Sequence, residues 1–363
     1  MSGLTFLHQE RDKNSRRSSQ IKDFSVFDFN YIPDEPIMRQ ECKHLIKEML
    51  QFEMSGIPTH QAVIGAKGSG KTLMLKYLQR IMNAETELNV IYVNCREHNT
   101  SFKIFAHFLE VQARGASLSE LCSQFRQKYT GRTVVLLDEI DLMSPKDKRR
   151  DILYFLSRSQ NPYLIIMLSN NQRVLQELDD STKSTLQPKV VYFKNYDARQ
   201  LQDILRDRAK KGLHNWEEST LAQIAALTTK RIHSDARVAI KTLFHGVMGT
   251  HRDTEACFEQ ARQDVVVEMF NNLPESLLFI LKATATCQSD FAKDIYQKYQ
   301  KISAMRREKP FSYVHYYANL SYLQSMGLVA LLATKVGCTY ANRVLLTFDQ
   351  AAFDPIYSLR FGN

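Results

Sequence analysis

The chain has 363 residues, of which 44% are hydrophobic and 24% are charged. This composition excludes a disordered or fibrous chain, and the length is sufficient for two or three domains with substantial cores. Lys and Arg (48 residues) outnumber Asp and Glu (39 residues), and the formal net charge of +9 favours a polyanionic partner.

The sequence shows neither a membrane segment nor a cysteine framework. No apolar run reaches the roughly 18 to 20 residues that a membrane span needs, so we expect a cytoplasmic protein without membrane association. The six cysteines lie far apart and form no CxxC pair. Reduced, mostly buried thiols are therefore expected, rather than a zinc module or a set of disulfides.

The first part of the chain predicts an arm followed by an α/β core. Residues 1–22 are polar, aperiodic and basic, and we interpret them as a flexible arm. A proline-punctuated loop, FNYIPDEP, and a helical stretch to about Met54 come next. Four short apolar runs then alternate with helical stretches: QAVIGA, IYVNC, TVVLLDE and YLIIMLSN. Such runs are typical of parallel strands covered by helices, so residues 23–195 are predicted to form the core.

Strand patterns stop after Tyr196, and the rest of the chain predicts two smaller domains. Four stretches with helical spacing of apolar residues predict a helical lid over residues 196–270. Beyond it come further helices, ending with SYVHYYANLSYLQSMG, and two short strands, LVALLAT and NRVLLTF, joined by KVGCTYA. Helices followed by a β-hairpin predict a winged-helix domain over residues 271–363.

The strongest motif is GAKGSGKT at residues 65–72, which fits G-x-x-x-x-G-K-[ST] between a predicted strand and a predicted helix. Its glycines let backbone N–H groups and the helix N-terminus face a β-phosphate. Lys71 is expected to reach the β- and γ-phosphates, and Thr72 to hold Mg²⁺. The nucleotide-binding residues expected in the motif are Gly65, Gly68, Ser69, Gly70, Lys71 and Thr72.

Two acidic residues follow the apolar run TVVLL, at the carboxyl end of a predicted strand. In an open α/β sheet this end lies beside the phosphate loop. Asp138 is therefore expected to hold Mg²⁺ and its water shell, and Glu139 to polarise a water molecule for attack on the γ-phosphate. We interpret Asp141 as a solvated loop residue.

Two further polar groups are candidates for contact with the γ-phosphate. The run YLIIMLSNN ends in Asn170 and Asn171, and either carboxamide could face the γ-phosphate or the attacking water, although the pair alone indicates only a turn. HSDAR opens a helix of the lid, so Arg237 projects from a first turn and could reach the nucleotide across a domain cleft. Without the phosphate loop it would be read as a surface arginine.

These motifs together resemble a known family. A phosphate loop, LLDEID, a strand ending in SN, and SDAR in a helical lid resemble an AAA+ ATPase. The whole array resembles the archaeal origin-recognition initiators related to the eukaryotic Orc and Cdc-six proteins. FSVFDFNYIPDEPIMR is similar to that family's base-binding segment, KSTLQPKVVYFKNYDARQLQDILRDR to its passage from core to lid, and FSYVHYYANLSYLQSMGLV to its recognition helix.

The resemblance implies additional nucleotide contacts. It implies that Asn170 is the first nucleotide sensor, that Arg237 is the second, and that Tyr196 and Arg208 also contact nucleotide. An aromatic ring can pack on a base or ribose, and a guanidinium offers bidentate recognition of phosphate. Without the family, Tyr196 would simply begin a helix and Arg208 would pair with a neighbouring aspartate.

The chain departs from this family in two places. Ser181 stands where the family usually has an arginine that acts on a neighbour's nucleotide, although Lys183 is close by. This departure weakens the case that the chain stimulates ATP hydrolysis in a partner. The segment 100–130, where these initiators usually carry an additional DNA-touching helical insertion, is short.

In a winged-helix domain, the second helix of the helix-turn-helix enters the major groove of DNA, and the hairpin lies along the DNA backbone or in the minor groove. The stripe expected to be buried on that helix consists of Val314, Tyr317, Leu320, Leu323 and Met326. The expected DNA contacts are Tyr313, His315, Tyr316, Asn319, Arg306, Arg307, Lys335 and Arg343. Asn319 is the predicted base reader, by its bidentate match to adenine, and the basic residues suit phosphates. The alternative is a winged helix that contacts protein through its tyrosine-rich helix.

These features and the resemblance predict an ATP-dependent DNA replication initiator, a slow Mg²⁺-dependent ATPase that hydrolyses ATP and retains ADP. It is expected to bind duplex origin DNA at the nucleoid. The resemblance implies the replicative hexameric helicase and paralogous initiator subunits as partners. Two alternatives remain open: a signal-transducing ATPase switch whose winged helix serves self-inhibition, and a DNA-binding regulator in which ADP is structural.

Overall fold

A computed structural model of the chain describes residues 19–362, except 113, 145–146, 148–149, 172–173, 233, 250–252, 272 and 337–338. The predicted arm therefore lies mostly outside the described residues. Its last residues belong to the lid, because Ile21 is buried and bridges Leu213 and the Lys22 N–H donates to the Gly212 carbonyl at 2.8 Å. The predicted end of the arm at residue 22 is thus too late. Among the described helices, none combines the length and apolarity that a bilayer crossing requires.

The core contains a five-stranded parallel sheet with the strand order β2-β3-β4-β1-β5. Its strands are β1 (Gln61–Gly65), β2 (Asn89–Asn94), β3 (Thr133–Asp138), β4 (Tyr163–Ser169) and β5 (Lys189–Phe193). Every residue of β3 and β4 is buried, which explains their continuous apolar runs. The four predicted strands are confirmed. The apolar-run pattern does not reveal β5, because it is an edge strand with three of its five residues exposed.

Helices cover both faces of the sheet and build two hydrophobic cores. The helices of this domain are α1 (Gln40–Ser55), α2 (Lys71–Glu85), α3 (Ser101–Leu109), α4 (Leu118–Lys128), α5 (Asp151–Ser157) and α6 (Asp180–Leu186). Successive strand residues point to opposite faces, so Val135 packs in one core, against α3 and α4, and Val134 in the other, against α1 and α2. Because the strands are parallel, the loops that follow β1, β3 and β4 meet at one edge of the sheet.

The lid has the helical composition that the sequence predicts. Its helices are α7 (Ala198–Gly212), α8 (Glu218–Ile232), α9 (Ala236–Val247) and α10 (Thr254–Asn271). A capping box fixes the start of α7, since Asp197 accepts the Gln200 N–H at 2.7 Å and the Gln200 side chain accepts the Asp197 N–H at 3.1 Å. The leading segment, residues 24–39, packs on the lid through Val26 and Phe27.

The C-terminal domain is a winged helix, as predicted. It consists of α11 (Glu275–Thr286), α12 (Ala292–Met305), α13 (Tyr313–Ser325), β6 (Val329–Val336), β7 (Thr339–Leu346) and α14 (Gln350–Phe361). The two strands form an antiparallel hairpin that is longer than predicted, and its tip lies outside the described residues. Helix α14 is absent from the predicted elements, yet it places Phe353 in the core of the domain.

Helix α13 is rotated relative to its predicted phase. Tyr316 and Leu320 are fully buried, whereas Val314, which was expected in the buried stripe, is 73% exposed. Tyrosine and aliphatic residues occur on every side of this helix, so its apolar pattern fits more than one phase. Packing selects the observed phase, because the Tyr316 ring lies 5.0 Å from that of Tyr296 and 5.8 Å from that of Tyr299 on α12.

The winged-helix domain docks directly on the α/β core. Leu142, in a short 3₁₀ helix after β3, is buried in the same hydrophobic cluster as Leu323 and Met326 of the α13 region. This contact brings the C-terminal end of α13 to the edge of the sheet where the strand-end loops meet.

Candidate functional site

The phosphate-loop motif forms the turn between β1 and α2. Gly68 and Gly70 have left-handed backbone conformations, with φ angles of 70° and 84°, that residues with side chains disfavour. A Cβ atom on Gly68 would lie 2.1 Å from Oδ1 of Asp235, and one on Gly70 would lie 2.0 Å from the hydroxyl of Tyr196. The two glycines therefore curl the loop and also let the lid approach it closely.

Lys71 is buried beneath this loop. Its Nζ donates to the carbonyls of Gly65 at 2.8 Å and Ala66 at 2.7 Å, and to Oδ1 of Asn170 at 2.9 Å. Burial lowers the pKa of Lys71 to about 8, and Asp138 opposes this shift. All three acceptors are neutral. A phosphate would be a stronger partner, since charge-assisted hydrogen bonds are about twice as strong as neutral ones.

The acidic pair lies at the carboxyl end of β3. The Tyr92 hydroxyl donates to Oδ2 of Asp138 at 2.9 Å, and the Thr72 side chain interacts with the same carboxylate. Burial raises the pKa of Asp138 and of Glu139, and for Glu139 the neighbouring Asp138 raises it further. Glu139 also has a left-handed backbone, with φ of 52°, a strain typical of functional sites. Two buried carboxyl groups of this kind are stabilised by a divalent cation.

Of the two candidate asparagines after β4, the structure places Asn170 in the site. Its backbone N–H donates to Oδ1 of Asp141 at 3.3 Å, while the Asn171 side chain turns to Glu177, donating at 2.9 Å. Asp141 is only 9% exposed, and its Oδ2 has no hydrogen-bond partner among the described residues. The prediction of a solvated Asp141 is wrong, because the turn after β3 directs this side chain towards Asn170.

The lid reaches the phosphate loop through the first turn of α9. The backbone N–H of Ala236 donates to the carbonyl of Gly68 at 3.2 Å. Arg237 lines the same cleft and pairs with Asp235, with Nε 3.0 Å from Oδ1 and Nη2 2.6 Å from Oδ2. Asp235 also caps α9. One carboxylate thus begins the helix and orients the arginine beside the loop.

Tyr196 lies in the cleft next to Arg39, a residue that sequence reasoning missed. Arg39 is buried, and its Nη1 donates to the carbonyl of Ser69 at 3.0 Å. Its guanidinium lies 4.5 Å from the ring centroid of Phe193 and 4.8 Å from that of Tyr196. Arg39 therefore links the phosphate loop to β5 and to the start of the lid. Its only sequence signal is its place at the end of FSVFDFNYIPDEPIMR, which has no helix or strand pattern.

Arg208 fastens the leading segment to the lid. It is 3% exposed, and its guanidinium donates to the carbonyls of Val26 and Tyr31, the latter at 3.3 Å. It also lies 4.4 Å from the ring centroid of Tyr31. Arg208 lines the nucleotide cavity, and its contact with nucleotide stays a prediction, although backbone carbonyls occupy both of its Nη groups in this arrangement.

These groups enclose a cavity of about 270 Å³ between the core, the lid and the winged-helix domain. Its apolar lining includes Phe29, Ile37, Tyr196, Ile204 and Ile240. Its charged and polar lining includes Lys67, Lys71, Arg96, Asp138, Glu139, Asn170 and Arg237. Apolar walls that suit a purine ring, next to cationic groups that suit phosphates, fit a nucleoside triphosphate.

The predicted DNA contacts on α13 fall into two groups. Tyr313 is 43% exposed, and His315 is partly exposed with its ring stacked on Phe311 at 4.5 Å. Tyr316 is buried, and Asn319 is 9% exposed, with its Nδ2 donating to the His315 carbonyl at 2.8 Å. DNA contact by Tyr316 and base reading by Asn319 are thus wrong predictions for this fold, because the observed phase of α13 turns both side chains inwards.

The predicted basic contacts are divided in the same way. Arg306 donates to two main-chain carbonyls at the end of α14, so its guanidinium stabilises that helix terminus instead of clamping a phosphate. Arg343 forms an ion pair with Asp290. Arg307 and Lys335 are exposed. These two residues are the most exposed of the four basic candidates, and the Arg343 side chain is still 43% exposed beside Asp290.

Several known proteins are similar to this chain. Residues 58–178 match a family model described as an AAA domain. The chain is 25% identical to ORC1-type DNA replication protein 3 of Sulfurisphaera tokodaii, with 85% of this chain and 86% of the relative covered. It is 29% identical to ORC1-type DNA replication protein 1 of Sulfolobus acidocaldarius, with 74% and 76% covered. Its fold is similar to that of the Aeropyrum pernix ORC1 protein, solved in complex with DNA, with a TM-score of 0.70, 23% identity, and 94% of this chain and 97% of that chain covered.

Proposed function

We propose that the chain is an ATP-dependent replication initiator that binds duplex origin DNA, because it is similar over most of its length to archaeal ORC1-type DNA replication proteins and contains an AAA domain. The observation that carries this proposal is the cavity in which the phosphate loop, the acidic pair, Arg237 of the lid and Met326 of the winged-helix domain meet. A ligand there would touch all three domains. Nucleotide state could then set the positions of the domains relative to one another.

The cavity would hold ATP with its base against the apolar walls and its phosphates at the phosphate loop. Lys71 would contact the β- and γ-phosphates, and Thr72 and Asp138 would hold Mg²⁺, which neutralises phosphate charge when it is bound. Support comes from the two carboxyl groups with raised pKa and from the Lys71 ammonium, which neutral oxygens hold. Bound Mg²⁺ would stabilise the carboxylates, and the phosphates would stabilise the Lys71 ammonium.

Hydrolysis would depend on Glu139. Burial and the neighbouring Asp138 raise the pKa of this carboxyl group. A general base is most effective when its pKa is close to the working pH, so the raised pKa suits Glu139 to this role. Asn170 and Arg237 would contact a γ-phosphate that ADP lacks, so ATP and ADP would favour different closures of the lid. We expect slow turnover and retention of ADP, and Ser181 leaves this chain without an arginine at the position that would act on a neighbour's nucleotide.

Duplex DNA would lie along the accessible side of the winged-helix domain. Tyr313, at the N-terminal end of α13, Arg307, in the turn before it, and Lys335, on the hairpin, are exposed. These three remain candidate contacts, whereas the buried Tyr316 and Asn319 do not. The Aeropyrum pernix protein of similar fold was solved in complex with DNA, which supports this use of the fold. The replicative hexameric helicase and paralogous initiator subunits are the proposed partners at the nucleoid.

The nucleotide assignment is tested by titration calorimetry of the full chain with ATP. Lys71→Ala should lower the affinity about 10- to 100-fold, because it removes a charged donor from the phosphates. Lys210→Ala, at an exposed position of α7, is the matched control and should bind as the wild type does. Wild-type affinity in Lys71→Ala would refute the site.

The DNA assignment is tested by mapping the bound sites on genomic DNA and by the salt dependence of duplex binding. We expect discrete chromosomal sites, and Lys335→Ala should reduce the salt slope by about one. Arg306→Ala should instead lower thermal stability and leave the slope unchanged, because its guanidinium is used within the domain. An absence of duplex binding would contradict the proposal and favour the ATPase switch.

A further inference from the structure

Lys67, in the middle of the phosphate loop, reaches from the core to the winged helix. Its Nζ donates to the carbonyl of Met326, the C-cap residue of α13. Tyr322, one turn earlier on the same helix, interacts with the Arg96 side chain of the core. Lys67, Arg96 and Met326 all line the nucleotide cavity. The C-terminal end of α13 therefore provides partners for two cationic side chains of the cavity, Lys67 and Arg96.

The surroundings of Lys67 place it where a γ-phosphate would lie. The charged groups that act on its ammonium are Arg237, Glu139, Arg96 and Asp141, and Arg237 and Glu139 are the groups expected to act on the γ-phosphate. Burial lowers the pKa of Lys67 to about 7, and Arg237 lowers it further than Glu139 restores it. The ammonium thus lacks sufficient compensating negative charge.

The Met326 carbonyl and a γ-phosphate would compete for this ammonium. The carbonyl is neutral, although the end of α13 adds a partial negative charge of about half a unit. A γ-phosphate carries a full charge and forms charge-assisted hydrogen bonds that are about twice as strong as neutral ones. We expect Lys67 to prefer the phosphate when ATP is bound, and to keep the carbonyl when the nucleotide ends at the β-phosphate.

We propose that Lys67 is a second phosphate-binding lysine of this site, which exchanges the Met326 carbonyl for the γ-phosphate of ATP and so releases the end of α13 from the core. With ADP the contact persists and the winged helix stays docked. This inference rests on the nucleotide site of the proposed function. The two ends of α13 thus have different roles. The exposed N-terminal end is available to DNA, and the contact at the C-terminal end depends on whether ATP or ADP is bound.

The test uses the full chain with ADP and with a non-hydrolysable ATP analogue. Titration calorimetry measures the ratio of the two affinities, and hydrogen exchange measures the protection of residues 322–328. In the wild type, the analogue should bind more tightly than ADP and should increase exchange over this segment. Lys67→Met should reduce the preference for the analogue at least about tenfold and should give the same, increased exchange with both nucleotides. Lys210→Met is the control for a lost positive charge and should behave as the wild type does.

The proposal is overturned if Lys67→Met keeps the wild-type affinity ratio, or if the wild type shows equal exchange over residues 322–328 with both nucleotides. Failure of the wild type to bind either nucleotide would instead overturn the proposed function. Tyr322→Phe provides an independent reading should Lys67→Met not fold. It removes the hydroxyl beside Arg96, so exchange in the ADP complex should rise while the affinity ratio stays at the wild-type value, and unchanged exchange would contradict the proposal.

Discussion

Replacement of Gly68 by alanine should separate the phosphate loop from the lid. The φ angle at this position is 70°, and an alanine in the left-handed region costs about 1–2 kcal/mol. Its Cβ would lie 2.1 Å from Oδ1 and 2.8 Å from Cα of Asp235. A rotation of the Asp235 side chain alone would therefore not relieve the overlap, and the first turn of α9 would have to move.

The movement of Asp235 has its own energetic cost. Its Oδ1 accepts the backbone N–H of Arg237 at 3.0 Å, and its carboxylate pairs with the guanidinium of that residue. A shift of α9 would also break the hydrogen bond from Ala236 to the Gly68 carbonyl, which contributes about 0.5–1.5 kcal/mol. Together about 2–3 kcal/mol would oppose the closed arrangement, which corresponds to a 30- to 150-fold loss of nucleotide affinity.

Titration calorimetry with ATP and ADP measures this loss, and thermal unfolding measures the stability of the same variants. Gly246→Ala is the matched control, because its added Cβ would have no neighbour within 4 Å among the described residues beyond its own helix. Alanine is the better helix former by up to about 1 kcal/mol, so the control should raise the Tm and keep the wild-type affinity. An affinity of Gly68→Ala within about threefold of the wild type would refute the coupling of loop and lid.

Three further changes address single side chains. His60 accepts the Ile165 N–H at 3.2 Å, and burial lowers its pKa to about 4. The folded state is therefore unaffected by this histidine above pH 6.5 and loses stability as the pH falls from 6.5 towards 4, because the unfolded chain then binds a proton that folded His60 does not. His60→Gln should remove this acid destabilisation of about 3 kcal/mol, measured by urea unfolding as a function of pH. An unchanged pH profile would contradict this expectation. Asp141→Ala should slow ATP hydrolysis about tenfold and nearly retain ATP affinity, because the Asn170 N–H loses its acceptor. Asp141→Asn, which keeps an acceptor oxygen, should restore the rate. Equal rates in the wild type and in Asp141→Ala would exclude a role of Asp141 in positioning Asn170. Tyr316→Phe should raise the free energy of unfolding by about 1 kcal/mol, since its buried hydroxyl has no partner among the described residues, and a loss of duplex affinity would restore Tyr316 as a DNA contact.

The parts of the fold that follow from the sequence are those with local patterns. The runs that form β1 to β4 are apolar because helices cover both faces of the sheet centre, and the lid helices show their own apolar spacing. The phosphate loop is recognisable because its glycines, lysine and threonine are consecutive. The edge strand β5 escapes the same reasoning, since its exposed residues resemble those of a loop.

Other features of the site depend on residues that are distant in the sequence. Arg39 and Arg208 each bind backbone carbonyls far along the chain, and neither stands in a motif that would reveal this. Asp141 is a loop aspartate by its neighbours in sequence, yet its turn brings it to Asn170. The phase of α13 is ambiguous in a helix with tyrosines on several sides, until α12 packs against it.

The sequence by itself therefore determined the order of the domains and the chemistry available at the strand ends, because backbone geometry and helix or strand periodicity depend on adjacent residues. The tertiary structure alone decided which side chains are buried and which charges meet, including Lys67 at the end of the winged helix. Burial and partnership are properties of packed surfaces, and the residues on the two sides of this contact are separated by most of the chain.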